Sequence, residues 1–164
     1  MERQLLEQLY HQHYGAALLY TLALCRDKSL AEDIVADAFV KAYISLPKDS
    51  PSFPFWLFRV CKNLWIDHLR KNKYLSDTPF ENTTLVQDTP EAAFLENERH
   101  RALWRAIHAL SPPDRELVTL HYFSGLSLQE IAQALNKSYP AVRQRLHRLR
   151  LTIKQRMEEE GYDV

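Results

Sequence analysis

Between Lys137 and Arg156 stand seven Lys or Arg residues and no Asp or Glu, in a chain whose 21 basic residues balance 21 acidic ones. The stretch carries a local charge of about +7 within a neutral protein. Cations at this density attract a phosphate backbone, and arginine forks also match the acceptor edge of guanine. This is the chemistry of recognition, in which no covalent bond is made or broken. The residues that would support catalysis lack the necessary spacing. The seven histidines are scattered: His11 and His13 would diverge on a helix, and His68, His100, His108, His121 and His147 fall in separate segments. There is no H-E-x-x-H, no C-x-x-C and no nucleophile with a base beside it. The three glycines, Gly15, Gly125 and Gly161, build no phosphate-cradling loop. The expectation is a protein that is not an enzyme and has no metal, no cofactor and no small-molecule substrate. Cys25 and Cys61 lie among apolar residues and read as buried, reduced thiols.

The cations need a scaffold, and Ser127 to Arg150 (SLQEIAQALNKSYPAVRQRLHRLR) supplies one. Ser127 and Glu130 have capping-box spacing, so a helix starts at about Leu128. Leu128, Ile131, Ala132 and Leu135 share one face, with Ala132 small enough for a close crossing. Asn136 can take the left-handed conformation that ends a helix. Ser138 is a second N-cap, and Pro140 fits a first turn. Tyr139, Val142, Leu146, Leu149 and Ile153 then mark the packed side of a second, basic helix. The pattern is a helix-turn-helix.

At 164 residues and 46% apolar, the chain has room for one domain or two small ones with genuine cores. No apolar run is long enough to cross a bilayer and the N-terminus does not read as a signal peptide, so a cytoplasmic protein without membrane insertion is expected. Strand-type alternation is absent, so the fold class is all-α.

Taken in order, residues 2 to 25 place Leu5, Leu6, Leu9, Tyr14, Leu18, Leu22 and Cys25 at helical intervals. Arg26 to Lys28 mark a turn, and Ser29 with Glu32 has capping-box spacing for a second helix reaching about Leu46. That helix has an apolar stripe through Ile34, Val35, Ala38, Phe39, Ala42, Tyr43 and Leu46. Asp33, Asp37 and Lys41 line its other side. Pro47, Pro51 and Pro54 read as a stiff loop, with the next helix starting near Phe55. Along that helix Arg59, Lys62, Asn63, Arg70 and Lys73 recur beside Phe53, Phe55, Trp56 and Trp65, the mixture with which proteins stack unpaired bases while tracking phosphates. Charge divides the chain: residues 76 to 100 hold one basic and six acidic residues, whereas residues 1 to 75 hold ten and eight and residues 101 to 164 ten and seven. The acidic, proline-containing stretch from Leu75 to Asp88 reads as a flexible linker between a domain at 1–74 and one at 89–164. Thr89 and Pro90 fit the start of a helix whose buried side holds Phe94, Leu103, Ile107 and Leu110. Ser111, Pro112 and Pro113 start another, with Leu117, Val118 and Leu120 inside and Gly125 past its end. Four helices then make up the C-terminal domain.

LAEDIVADAFVKAY, FPFWLFRVCKNLWIDHLRK and LSPPDRELVTLHYFSGLSLQEIAQALNKSYPAVRQRLHRLR, in that order, resemble the core-polymerase-binding helix, the minus 10 segment and the minus 35 segment of extracytoplasmic-function (ECF, group 4) sigma factors. The resemblance covers nearly the whole chain. It implies sigma region 2, a linker and sigma region 4, with core RNA polymerase, promoter DNA and an anti-sigma factor as partners. It assigns Asp33, Ile34, Asp37, Phe39 and Lys41 to the clamp helices of the largest polymerase subunit, and names the beta flap as a further contact on the polymerase. It assigns Phe53, Phe55, Trp56, Arg59, Lys62, Asn63 and Arg70 to minus 10 DNA, with residues 48 to 55 shaping a pocket for a flipped base. Ser138, Pro140, Ala141, Arg143, Gln144, Arg145, His147 and Arg148 go to the minus 35 duplex, with Arg145 and Arg150 available to phosphates. Three departures leave promoter sequence open: Asn136 stands where a glycine is usual, Pro140 alters the start of the recognition helix, and SPSFPF differs from the usual pocket loop. The competing reading is a helix-turn-helix regulator that is not a polymerase subunit, for which residues 90 to 160 would suffice.

Overall fold

Residues 17 to 25 are apolar on nearly every side, and a helix of that kind has to be enclosed by others. In the computed structural model, which describes residues 3–45, 52–72 and 97–162, this stretch is the C-terminal half of α1 (Arg3–Cys25). It packs against α2 (Lys28–Ser45) and α3 (Phe53–Asn72), which also pack against each other. Leu18, Val35, Leu57, Phe58 and Cys61 are fully enclosed between them. The apolar face expected along all of α1 is used unevenly, for Leu5 remains substantially exposed while Leu18, Leu22 and Cys25 are buried.

Two helix starts differ from the sequence expectation. α2 is capped by Asp27, whose carboxylate accepts from the Leu30 amide at 3.2 Å, so Ser29 lies inside the first turn and forms no capping box. α3 is capped by Ser52, whose hydroxyl accepts from the Phe55 amide at 3.2 Å. Phe53 and Pro54 are therefore helical. Proline is tolerated there because first-turn amides have no intrahelical acceptor to lose. Residues 46 to 51 and the expected linker, with Thr89, Pro90 and Phe94, lie outside the described residues.

The second group of helices is built around α7 (Tyr139–Glu159), which touches α4 (Glu98–His108), α5 (Pro112–Phe123) and α6 (Leu128–Leu135). Asn97 caps α4 by accepting from the Arg99 amide at 2.8 Å. The buried side of α4 is Ala102, Trp104, Ala106 and Ile107, with Leu103 and Leu110 only half-buried. Chain contacts divide the molecule into two compact units, Met1–Thr84 and Leu85–Val164. All regular structure among the described residues is helical.

Candidate nucleic-acid and polymerase interfaces

The helix-turn-helix is assembled by local hydrogen bonds. The Ser127 hydroxyl accepts from the Glu130 amide and the Glu130 carboxylate accepts from the Ser127 amide, both at 3.1 Å, which completes the capping box of α6. Asn136 ends α6 with φ 55° and ψ 47°. The next amide, of Lys137, reaches back to the Ala132 carbonyl at 2.9 Å. The Ser138 hydroxyl accepts from the Ala141 amide at 3.3 Å and starts α7 with Pro140 in its first turn. Ile131 and Ala132 are buried against α7, whose buried row is Val142, Leu146, Leu149, Ile153 and Met157. Tyr139, expected in that row, is 40% exposed instead.

With one side of α7 committed to the core, about 100° per residue fixes what faces outward. Tyr139, Pro140, Arg143, Gln144, His147 and Arg148 line one shallow, open depression. Arg143 and Arg148 make no ion pair among the described residues. Ser138 and Ala141 are exposed at its start. Arg145 points elsewhere. Its Nε donates to Asp114 Oδ1 at 2.8 Å and its Nη2 to Asp114 Oδ2, across to the first turn of α5. The Arg145 guanidinium, with help from the Ser111 hydroxyl, holds the Asp114 carboxyl below the usual aspartate range against the opposing effect of burial. Lys154 pairs with Glu158 at 4.0 Å, so part of the charge on α7 is matched within the fold.

On α2, Asp33, Asp37 and Lys41 are exposed, but Ile34 and Phe39 are core residues that can only support a surface. The exposed apolar groups of this helix are Val40, Tyr43 and Ile44, at 56%, 54% and 74% of full exposure. Sequence reasoning passed over Val40 and Ile44 and placed Tyr43 in the buried stripe. The signal that could have found them is register: Val40 lies three residues after Asp37 and Ile44 four after Val40, beside the polar line of Asp33, Asp37 and Lys41.

On α3, Arg59, Asn63 and Arg70 are exposed along one line, opposite Leu57, Phe58 and Cys61. Trp56 is half-buried beside that line, its ring stacked on Phe53 with centroids 5.9 Å apart. Phe53 also meets Phe39 at 6.0 Å and His13 at 5.4 Å, which makes it a wedge between the helices. Burial lowers the His13 pKa. Lys62 is half-buried and Phe55 lies in the core. Trp56, Arg59, Asn63 and Arg70 thus remain as the accessible set. Burial pushes Cys25 up to about 11 and Cys61 up to about 12, so both are protonated thiols at neutral pH, poor nucleophiles within the core. No helix among the described residues is long and apolar enough to cross a membrane.

Known proteins share this arrangement. The family model for Sigma-70 region 2 matches residues 9–74, and that for Sigma-70 region 4 matches residues 100–153. The ECF RNA polymerase sigma factor SigW of Bacillus subtilis is 32% identical over 142 residues, covering 79% of this chain and 76% of SigW. The ECF RNA polymerase sigma factor BldN of Streptomyces coelicolor is 29% identical over 142 residues, 83% of this chain, and the chain spans about half of BldN, 54%. In fold, the chain is similar to the sigma factor RpoE of Bartonella quintana, solved with the anti-sigma factor NepR, with a TM-score of 0.74 and 22% identity over 93% of this chain and 96% of that one. Two modules in the order of sigma regions 2 and 4, together with the identity to SigW along most of both chains, make this protein a member of the ECF family of RNA polymerase sigma factors.

Proposed function

We propose that the chain binds core RNA polymerase and directs promoter-specific initiation, with the first unit docking on polymerase and holding melted minus 10 DNA while the second grips the minus 35 duplex. The observation that carries this reading is the outward strip of α7. Arg143, Gln144, His147 and Arg148 project together from a helix whose opposite side is fully buried, the presentation a major groove requires. Ser138, Pro140 and Ala141 begin the same helix beside the strip. On α3, Trp56 supplies a stacking surface, and Arg59, Asn63 and Arg70 a polar track for one strand. A base drawn from the stack gains back part of its unpairing cost against such a surface. Phe53 and Phe55 act by holding Trp56 and the helix start, and Lys62 adds charge beside the track.

On α2, Asp33, Asp37 and Lys41 with Val40, Tyr43 and Ile44 form the surface for the clamp helices of the largest subunit, with Ile34 and Phe39 beneath it. The beta flap is a further contact on the polymerase. An anti-sigma factor is a further partner, by analogy with the solved RpoE complex. None of these roles calls on covalent catalysis or a cofactor.

Core polymerase supplied with the chain should initiate from a defined subset of a genomic promoter library, and failure to start anywhere would end the proposal. The rival, a free-standing regulator, binds duplex DNA without capturing polymerase. Within the family reading, Arg143→Ala or Arg148→Ala should each cost about 1–3 kcal/mol of minus 35 discrimination, read as relaxed preference at one base position. Unchanged promoter preference in both variants removes the groove assignment.

A further inference from the structure

Arg145 stands on the same helix as the outward strip but on its flank, and its guanidinium is half engaged. Nε and Nη2 close a two-toothed contact on Asp114, while Nη1 donates to no group among the described residues. The two partners are 31 residues apart in sequence. Asp114 is well enclosed, with 13% of its side chain exposed, whereas Arg145 is half-exposed at 50%. The carboxylate is itself held in place, because the Ser111 hydroxyl donates to Oδ2 at 2.9 Å. Ser111 spends its side chain on that bond and makes no side-chain cap to α5. The result is a fixed line from the start of α5, through Asp114, to a planar cation whose remaining edge lies open beside the strip.

We propose that Asp114 is a positioning residue for duplex DNA, which acts through Arg145 by fixing the guanidinium plane so that its Nη1 edge takes a backbone phosphate alongside the groove that Arg143 and Arg148 read. This rests on the minus 35 reading of α7. A phosphate contact carries no sequence information but sets register and orientation on the duplex. A surface arginine normally loses most of its rotamer freedom when it binds phosphate, and one already clasped by a carboxylate has lost that freedom in the free protein. The carboxylate occupies two of the five N–H donors and leaves Nη1 with both of its own.

The two possible roles of Asp114 predict opposite signs. If it is merely one negative charge near DNA, Asp114→Asn tightens binding by removing repulsion. If it orients Arg145, the same near-isosteric change weakens binding. The assay uses the full chain assembled with core polymerase on a promoter fragment, with affinity followed against KCl concentration. Asp114→Asn should bind several-fold more weakly. Arg145→Ala should bind more weakly still, with the slope of log K against log salt flattened by roughly 0.9, the amount for one lost phosphate contact. The double variant should be no worse than Arg145→Ala alone. A pin that only joins α7 to α5 would lower thermal stability and leave the salt slope at its parental value. The clasp is overturned if Asp114→Asn binds as tightly as the parent or tighter, or if Arg145→Ala keeps the parental slope. Arg143→Ala in the same assay separates the two levels. Lost promoter preference there with an unchanged Asp114→Asn removes the clasp and keeps the minus 35 reading, whereas no effect of either Arg143→Ala or Arg148→Ala removes the reading itself.

Discussion

Helix α2 of the first unit and helix α7 of the second both present exposed surfaces, and these differ in kind. On α2 the exposed groups include Val40, Tyr43 and Ile44 among a few charges, whereas on the first turns of α7 they are Arg143, Gln144, His147 and Arg148. Contiguous apolar surface is costly in water and recovers that cost only against another protein surface. A row of arginine and amide groups is well hydrated when free and gains most from phosphates and base edges. On the proposed reading, the difference suits α2 to a protein surface and the outward strip of α7 to a duplex.

The strongest way to break this comparison is to collapse one unit and ask whether the other survives. Phe58 is enclosed among α1, α2 and α3, with its ring edge-on to Tyr20 at 5.1 Å. Phe58→Ala should cost the first unit about 3–5 kcal/mol. Calorimetry should show one transition moved to lower temperature and the other unmoved, with polymerase capture lost and duplex binding retained. If both transitions shift together, the units are not thermodynamically separate and the assignment of partners by unit loses its basis.

A milder test leaves both cores intact and changes only the surface. Val40→Asp with Ile44→Asp places charge where the first unit exposes apolar groups, at no cost to the core because neither residue is buried. Desolvating an unpaired carboxylate in an interface is unfavourable, so capture of core polymerase should fall by at least about tenfold, or roughly 1.4 kcal/mol. Helix content and duplex binding should stay at parental values. Unimpaired capture would move the polymerase contact off the C-terminal half of α2.

The same contrast explains what was legible in the sequence. The helix-turn-helix was readable almost residue by residue, because Ser127, Glu130, Asn136 and Ser138 act over three or four positions and their hydrogen bonds close as the spacing predicts. The start of α3 was not, because a proline cluster signals a break and only the Ser52 hydroxyl reveals that Pro54 sits in a first turn. On α2 periodicity placed Phe39 inward, where it meets Tyr10, but apolar residues occur on several sides, so it also put the exposed Tyr43 in the buried stripe. Asp114 was invisible for another reason: a carboxylate in a helix's first turn is ordinarily explained by the helix dipole, and its true partner is remote in sequence. Long-range pairings are what periodicity and capping rules lack.

The finest comparison concerns two turns. Arg26, after α1, and Asn136, after α6, are the positive-φ residues other than glycine, at 58° and 55° among the described residues. Each brings its amide back to the preceding helix, Arg26 to Leu22 at 2.8 Å and Asn136 to Gln133 at 3.2 Å. The left-handed region costs a residue with an ordinary side chain about 1–2 kcal/mol, and asparagine less because its short amide bonds locally. Glycine avoids that strain but costs about 0.5–1 kcal/mol in chain entropy on folding. Arg26→Gly should therefore stabilise the first unit by up to about 1 kcal/mol, while Asn136→Gly should leave the second within about 0.3 kcal/mol of the parent. Urea titrations of the two variants decide it. Equal gains at both sites would mean that Asn136 is as strained as Arg26.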